Sequence, residues 1–468
     1  MLKPFLNATR SPVAWTPLVA AVLLAGCSFA PTYERPEAPV ATVWPASAGG
    51  TAVATAASQD IAWRDFVQDA RLREVIGLAL KNNRDLRVAA LNIEQVRAQF
   101  QIQRAAQWPT VNAAATGSRQ TKDSDTITSA YTAGLAVSSW ELDVFGRIAS
   151  LKEAALAQYL ASEQTRNAAQ TSLVAAVAST WLGLQTDNEL MALTQRTLKT
   201  RDDSLRLTRL RFDSGVVSAL DLRQAESLLA AAQGTLAQQQ RQRALDLNGL
   251  TLLVGQTVPE AMLPSGTPSA APFSDVPVGL PSDVLMRRAD IRAAEQQLMA
   301  ANANIGAARA AFFPRISLTA SIGSASSELS GLFQSGSWGF SLAPQALLPI
   351  FDAGRNRAGL QVAQVQRDLA VAQYEKAIQT AFREVADALA GRATLGQQLA
   401  ALQAQAQAEA ERFRLSELRY RHGVASYLDV LDAQRSLFVT QQALSQTRLA
   451  QQQNQVALYK ALGGGWTD

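Results

Sequence analysis

Two hydrophobic patterns alternate along this chain, one with the period of a strand and one with the period of a helix. Apolar residues take every second position in short segments such as RISLTASIG at 315–323, a spacing typical of strands. Such segments occur in two pairs, 109–118 with 130–142 and 315–324 with 337–349. The stretches around them have helical periodicity and predict helices. Their approximate bounds are 72–107, 146–212, 219–254, 283–312, 354–421 and 427–461.

The order of these segments occurs twice, which indicates an internal duplication. Both halves run helix, two strands, long helix, Gly-containing turn and helix. Matching residues recur at a nearly constant separation: Pro109 with Pro314, Gly146 with Gly354, and Gly215 with Gly423. Six prolines between the halves preclude a regular helix or a central strand there. We therefore predict a first repeat at 63–255, a linker at 256–282, a second repeat at 283–464 and a tail at 465–468.

The first residues have the pattern of an export signal. Lys3 and Arg10 precede the apolar run PLVAAVLLAGC, which ends at Cys27, the only cysteine. LAGC resembles a bacterial lipobox, which implies a signal peptide at 1–26 and a diacylglycerol on Cys27. Ser28 then implies an outer-membrane destination. The alternative is a buried cysteine in an unprocessed helix. The segment 27–62 is rich in proline and is predicted to be an extended arm.

The strand segments have the length and polarity of membrane-spanning strands. Each has about 10–13 residues, which suffices for a tilted strand to cross a bilayer. One face is apolar, and the other carries small and polar residues. Four strands cannot close a barrel, so the chain is predicted to oligomerise, with eight strands in a dimer or twelve in a trimer. A soluble β-hairpin on a domain surface is the alternative.

The longest helical stretches indicate an elongated protein. About 68 residues at about 1.5 Å each would extend roughly 100 Å, which is more than a globular domain requires. A duct across the periplasm fits this length, and an ordinary coiled-coil spacer is the alternative.

Composition argues against several classes of function. The formal net charge of +4 is too small to indicate nucleic-acid binding. The chain has one His and one Cys, without a Gly-rich phosphate loop after a strand or a spacing typical of metal ligands. We therefore predict that the protein is not an enzyme and has no metal or cofactor apart from a covalent lipid on Cys27.

The two turns that reverse the long helices are similar but not equivalent. RFDSGVVSALDLRQ at 211–224 and RYRHGVASYLDVLD at 419–432 both place a Gly at the reversal, followed by Ser-x-x-Asp. This spacing predicts two capping boxes, Ser218 with Asp221 and Ser426 with Asp429. The second copy adds Asp432 near the same helix face as Asp429. Carboxylates held close together there would repel each other unless they are screened.

On these residues the chain resembles the TolC-type outer-membrane channels, in their lipidated NodT-like branch. The motifs are LAGC, GLPSDVLMRRADIRAAEQQL at 279–298, FFPRISLTAS at 312–321 and RYRHGVASYLDVLDAQRSLF at 419–438. The resemblance implies a homotrimer with one twelve-stranded β-barrel in the outer membrane and a periplasmic α-helical barrel. It also implies a passive exit duct of a tripartite efflux pump. The partners would be a periplasmic adaptor, an inner-membrane transporter of the RND or another type, and outer-membrane lipid.

The resemblance also implies roles for residues at the tips. Leu428, Asp429 and Asp432 would form a closed periplasmic gate, with plain helix caps as the alternative for the aspartates. Tyr420 and Asp221 would link neighbouring coiled coils, although an Arg of that link in the family falls on Ala425 here. The adaptor would dock on Gly215, Val216, Ser218, Gly423, Val424 and Ser426. His422 is predicted to be an exposed turn residue near the adaptor, with a pH-sensing role as the alternative.

Two other functions are compatible with the sequence. The same fold could serve protein export in a type I secretion system, which genomic neighbours would reveal. A lipid-anchored coiled-coil scaffold without a pore could also contain such helices. A monomer without heat-resistant β-structure in detergent would favour the scaffold.

Overall fold

The computed structural model describes residues 29–45, 61–123, 126–265, 272–277 and 287–464. Cys27, the predicted signal peptide at 1–26 and the predicted tail at 465–468 lie outside the described residues.

Helices and strands follow each other in the same order in both halves. The first half contains α1 (Trp63–Phe66), α2 (Ala70–Asn82), α3 (Arg84–Ala105), β1 (Val111–Asp123), β2 (Thr126–Leu142), α4 (Arg147–Asp213) and α5 (Ala219–Val254). The second half contains α6 (Ala289–Ala310), β3 (Arg315–Ser326), β4 (Trp338–Leu347), α7 (Arg355–Arg421) and α8 (Tyr427–Ala461). Across the described ranges, no helix is both long and apolar enough to cross a membrane.

The predicted helix at 72–107 is wrong in one respect, because two helices meet there. Asn83 separates α2 from α3 with a non-helical backbone (φ −59°, ψ 132°). Its side-chain amide donates to the Leu253 carbonyl at 2.8 Å, and its side-chain oxygen accepts from the Leu86 N–H at 2.8 Å. Asn83 thus caps α3 and binds the end of α5, which fixes the break.

Contacts divide the chain into two compact units, and each unit contains parts of both halves. Of the described residues, the first unit comprises 29–37, 92–123, 126–162 and 293–374, and the second comprises 38–45, 61–91, 163–265, 272–277, 287–292 and 375–464. The duplication in the sequence is therefore not a division into two separate domains.

The first unit contains a four-stranded antiparallel sheet in the order β1–β2–β3–β4. Gly134 of β2 lies opposite Gly323 of β3, and a Cβ on either would lie 2.3 Å from a backbone oxygen. Large apolar side chains are exposed on one face of β4; they are Trp338, Phe340 and Leu342. Within the described residues, β1 and β4 each pair with one strand only, so both leave an open edge.

The described start of the arm lies along α6 in the same unit. Phe29 stacks on Phe313 with ring centroids 4.6 Å apart. The hydrogen bonds that fix the arm run from Arg309 to the Phe29 carbonyl, from Asn302 to the Pro31 carbonyl, and from Tyr33 and Arg35 to the Glu295 carboxylate. The arm therefore runs antiparallel to α6, and Phe29 lies where α6 passes into β3.

The second unit has an apolar core built from α1, α2, α4, α5, α7 and α8. Trp181 and Phe66 are fully buried in it. The ring of Phe66 stacks on Tyr459 at 3.9 Å and on Phe273 at 4.8 Å. Because Phe273 belongs to the predicted linker, part of the Pro-rich segment packs against the helices.

Candidate functional site

Both helix hairpins reverse at a glycine with a left-handed backbone. We call α4 with α5 the first hairpin, and α7 with α8 the second hairpin. Gly215 and Gly423 have φ angles of 72° and 73°, a region that favours glycine. Each donates its N–H to the carbonyl three residues earlier, and the following valine donates to the carbonyl five residues earlier. This is the Schellman pattern of helix ends, so the two tips share one backbone and differ in their side chains.

The predicted capping boxes are present at both tips. The Ser218 hydroxyl accepts from the Asp221 N–H at 3.2 Å, and the Asp221 carboxylate accepts from the Ser218 N–H at 3.1 Å. Ser426 and Asp429 make the same pair of bonds at 3.4 and 3.2 Å. The carboxylates of Asp221 and Asp429 are therefore engaged at helix starts, where the helix dipole favours negative charge.

The carboxylate of Asp432 is bonded to two arginines of the same chain. Arg412 of α7 donates from Nη2 at 2.6 Å, and Arg435 of α8 donates from Nη2 at 2.5 Å. The hydrogen bond from Arg412, together with the positive charge of Arg435, holds the pKa of Asp432 below its usual value. Asp432 is thus ionised with its charge offset, which weakens the repulsion that the sequence predicts among these carboxylates.

The sequence prediction did not include either arginine, although the turn contains the signal for both. Arg412 and Asp432 are equally distant from position 422, where the second hairpin reverses, so antiparallel pairing of its helices brings them opposite each other. Arg435 follows Asp432 by three residues, a spacing at which helical side chains are neighbours.

Leu428 and Asp432 line one cavity of about 350 Å³ between α5 and α8. The other lining residues are Arg223, Gln224, Ser227 and Leu228 of α5, with Leu431 and Arg435 of α8. Leu428 is 53% exposed, so its side chain is available for contact with another molecule or chain. Asp429 does not line this cavity, because its carboxylate lies in the capping box. The structure therefore brings together two of the three predicted gate residues.

Tyr420 of the second hairpin is bonded to Arg211 of the first. The Arg211 guanidinium donates to the Tyr420 hydroxyl, and its central carbon lies 5.0 Å from the ring centroid, a cation–π contact. The ring of Tyr427 lies 5.1 Å from that of Tyr420. Burial raises the pKa of Tyr420, so the hydroxyl stays protonated at neutral pH.

The predicted partner of Tyr420, Asp221, is occupied elsewhere in the described chain. Its carboxylate bonds to Ser218, and its charge reaches Tyr420 only through space. Ala425 contributes no guanidinium, and Arg211 supplies one from the opposite hairpin. Arg211 with Tyr420 is therefore a link between the hairpins close to their tips, and a bond between Tyr420 and Asp221 in an assembly stays a prediction.

The remaining predicted tip residues are accessible at the two turns. Val216 and Val424 are 71% and 68% exposed, and the glycines and serines beside them are exposed as well. His422 is exposed in the second turn, as predicted. Among the residues that the structure describes, no group of three or more His, Cys, Asp or Glu side chains is placed to hold a metal ion.

Comparison with known proteins identifies the family. A family model described as "Outer membrane efflux protein" matches residues 75–256 and 280–464. The chain belongs to this family. Each matched segment covers most of one half of the chain. Membership places the protein in the outer membrane and makes it an efflux protein, which confirms the predicted outer-membrane location and the predicted family. The lipid anchor stays a prediction.

Relatives of similar length share nearly half of their residues with the chain. A probable efflux pump outer membrane protein, TtgC of Pseudomonas putida, is 49% identical over 460 residues, which cover 96% of this chain and 94% of the relative. The outer membrane protein OprJ of Pseudomonas aeruginosa is 46% identical, with 96% and 95% covered.

Solved outer-membrane channels have the same fold. The MtrE outer membrane channel of Neisseria gonorrhoeae, solved in an open state, has a TM-score of 0.87 and 43% identity, covering 94% of this chain and 99% of that one. A membrane protein from Pseudomonas aeruginosa has a TM-score of 0.88 and 46% identity, covering 94% and 98%. The predicted fold class, mainly helical with a duplicated pair of membrane strands, is therefore confirmed.

Proposed function

We propose that the protein is the passive exit duct of a tripartite efflux pump, opened at its periplasmic tips by an adaptor and an inner-membrane transporter. The cavity that Leu428 and Asp432 line at the end of the helices is the main observation in favour, because it lies at the tip in a member of a channel family. The duct would catalyse no reaction and would need no cofactor beyond the lipid on Cys27.

Three copies would complete the duct. Strands β1 and β4 have open edges, which are not tolerated within lipid, so the edge of one chain would pair with the opposite edge of the next. Apolar side chains exposed on α7, the helix that follows β4, support a contact with a second copy; they are Val362, Val365 and Leu369. Twelve strands would then form one closed barrel.

The arm supports a lipid anchor on Cys27. Phe29 lies at the junction of α6 with β3, where a membrane strand begins. Cys27 precedes Phe29 by two residues, about 7 Å of extended chain, so an acyl chain there would reach the bilayer surface. A Cys27→Ala variant should not incorporate labelled palmitate, whereas the wild type should.

The exposed valines of the turns suit an apolar partner. Val216 and Val424 are accessible at equivalent positions of both tips, and the glycines beside them let another chain approach closely. We assign the adaptor to these turns.

Relatives named for the efflux of toluene, solvents and antibiotics support small apolar compounds as cargo, rather than the proteins of a type I secretion system.

Single-channel conductance in planar lipid bilayers tests the gate. The wild type should be mostly closed, and Leu428→Ala and Asp432→Ala should each raise conductance. Leu220 is the matched control, because it takes the equivalent place in the first hairpin and does not line the cavity. If Leu428→Ala and Asp432→Ala conduct like the wild type, the gate is not at these residues.

A further inference from the structure

Arg201 of α4 is a buried cation for which the described part of the chain provides no carboxylate. Arg201 is 5% exposed. Nη1 donates to the Leu228 carbonyl of α5 at 2.8 Å, and the central guanidinium carbon lies 5.3 Å from the ring centroid of Phe438 in α8. Nε is buried and has no hydrogen-bond acceptor among the described residues. Burial lowers the pKa of Arg201, and no acidic group in the described part of the chain acts against that shift.

Other arginines that join the same helices do have acidic partners. Arg209 of α4 is paired with Glu226 of α5 at 3.0 Å, and Arg448 of α8 is paired with Glu189 of α4 at 3.0 Å. Arg201 lies between Glu189 and Arg209 along α4, yet it contacts a carbonyl and an aromatic ring instead. A buried charge without a counter-ion costs free energy, and the ring and the carbonyl offset only part of that cost.

The contact with Phe438 connects Arg201 to the gate. Phe438 and Leu428 are on the same helix, ten residues or about 15 Å apart. A force that holds Phe438 against the first hairpin therefore also holds the start of α8. Separation of α8 from α4 would let water reach the guanidinium and remove the cost of burying it.

We propose that Arg201 is a positioning residue that sets the balance between the closed and open tip. Its cation–π contact with Phe438 holds α8 in the closed position, and its uncompensated charge keeps that position only marginally favoured. The proposal rests on the proposed function, because it requires the start of α8 to be the gate.

Two single variants should shift the balance in opposite directions. Arg201→Met keeps an unbranched apolar side chain without the charge, so the closed tip should become more stable. The ratio of open to closed channels should fall about tenfold, equivalent to about 1.4 kcal/mol. Phe438→Leu leaves the cation buried without its ring, so the ratio should rise by about the same factor.

A double-mutant cycle separates this role from general packing. The effect of Phe438→Leu should disappear in the Arg201→Met background, because the ring then has no cation to hold. Arg196→Met is the matched control, since Arg196 is exposed on α4 and donates to a carbonyl of its own helix. All variants are measured as assembled, heat-resistant oligomers in planar lipid bilayers, with Leu428→Ala as the reference for an open tip.

The outcomes distinguish this proposal from the proposed function. If Leu428→Ala opens the channel while Arg201→Met and Phe438→Leu conduct like the wild type, Arg201 does not position the gate and the gate assignment survives. If Leu428→Ala also has no effect, the proposed gate fails and this proposal fails with it. If Arg201→Met does not assemble, an unchanged open fraction in Phe438→Leu alone overturns the proposal.

Discussion

Arg412 and Asp432 connect the two helices of the second hairpin, with 2.6 Å between Nη2 of the arginine and a carboxylate oxygen of the aspartate. The carboxylate at the candidate gate is therefore held by its own hairpin, and it is not simply one of several repelling charges. This bond fixes the start of α8 against the end of α7.

Loss of the arginine should loosen the gate. In Arg412→Ala, Asp432 keeps only Arg435, so the open fraction in planar bilayers should rise about twofold to fivefold, as expected for a partly exposed ion pair. Arg414→Ala is the control, because Arg414 pairs with Glu411 instead.

The pKa of Asp432 is lowered, so its pairing with Arg412 and Arg435 should persist between about pH 5 and pH 8. A wild-type conductance that rises steeply within that range would contradict this assignment of the ion pair.

The link between the hairpins should depend more on Arg211 than on the hydroxyl of Tyr420. Tyr420→Phe removes a hydrogen bond but keeps the cation over the ring, whereas Arg211→Ala removes both contacts. Arg211→Ala should therefore give the larger increase in open fraction. Arg206→Ala, at an exposed position that pairs with Asp203 on its own helix, should leave conductance unchanged. Equal effects of Arg206→Ala and Arg211→Ala would rule out a specific link.

A carboxyl pair in the first hairpin should make stability depend on pH. Asp187 of α4 is 7% exposed, and burial together with the charge of Asp246 in α5 raises its pKa to about 7. The Asp246 Oδ2 atom lies 3.0 Å from the position that a Cβ on Gly183 would occupy. The carboxyl groups of Asp187 and Asp246 therefore come together where α4 lacks a side chain. Below about pH 7, we therefore expect Asp187 to hold a proton.

The sign of the effect follows from the raised pKa. The folded state keeps a proton that the unfolded state loses above about pH 4, so the free energy of unfolding should fall as pH rises from about 4 to about 7. The slope is at most about 1.4 kcal/mol per pH unit. Melting temperatures in detergent at pH 5, 6, 7 and 8 check this. Asp187→Asn should flatten the lower part of the profile, while Asp203→Asn, at an exposed position of the same helix, should not. A profile that Asp187→Asn leaves unchanged would refute a raised pKa at Asp187.

The central strands should tolerate no side chain at their glycine pair. In Gly134→Ala or Gly323→Ala the new methyl group would lie 2.3 Å from a carbonyl oxygen of the neighbouring strand, so β2 and β3 would have to separate. Loss of heat-resistant oligomers on an unboiled denaturing gel is the expected result. Gly339→Ala in β4 is the matched control, because no atom lies within 4 Å of its Cβ position. Wild-type heat resistance in Gly134→Ala and Gly323→Ala would show that the strands adjust.

Local patterns predicted most of the fold. The helices predicted at 146–212, 219–254 and 427–461 are observed at Arg147–Asp213, Ala219–Val254 and Tyr427–Ala461. The hydrophobic period, the glycines at the turns and the capping residues are each encoded within a few residues of the chain. For this reason the predicted and observed helix boundaries agree. The first strand is longer than predicted, because pairing with β2 extends it to Asp123 through a polar stretch without a clear alternation.

Contacts between distant residues were not predictable in the same way. Asn83 breaks a helix because it binds Leu253, 170 residues later. Arg211 binds Tyr420 across 209 residues, and Arg201 contacts Phe438 in the other hairpin. The partner of each arginine lies in the other hairpin, more than 200 residues later, so tertiary packing and not local sequence determines the contact.

The arm has a consequence for the order of events during biogenesis. Phe29 and Arg309 are 280 residues apart, and Arg35 and Glu295 are 260 apart, so the arm cannot dock until α6, at the start of the second half, has been synthesised. Closing so long a loop is entropically costly for a free chain. An end already held at a membrane surface would search a smaller volume, so tethering first would make the later docking of the arm on α6 less costly.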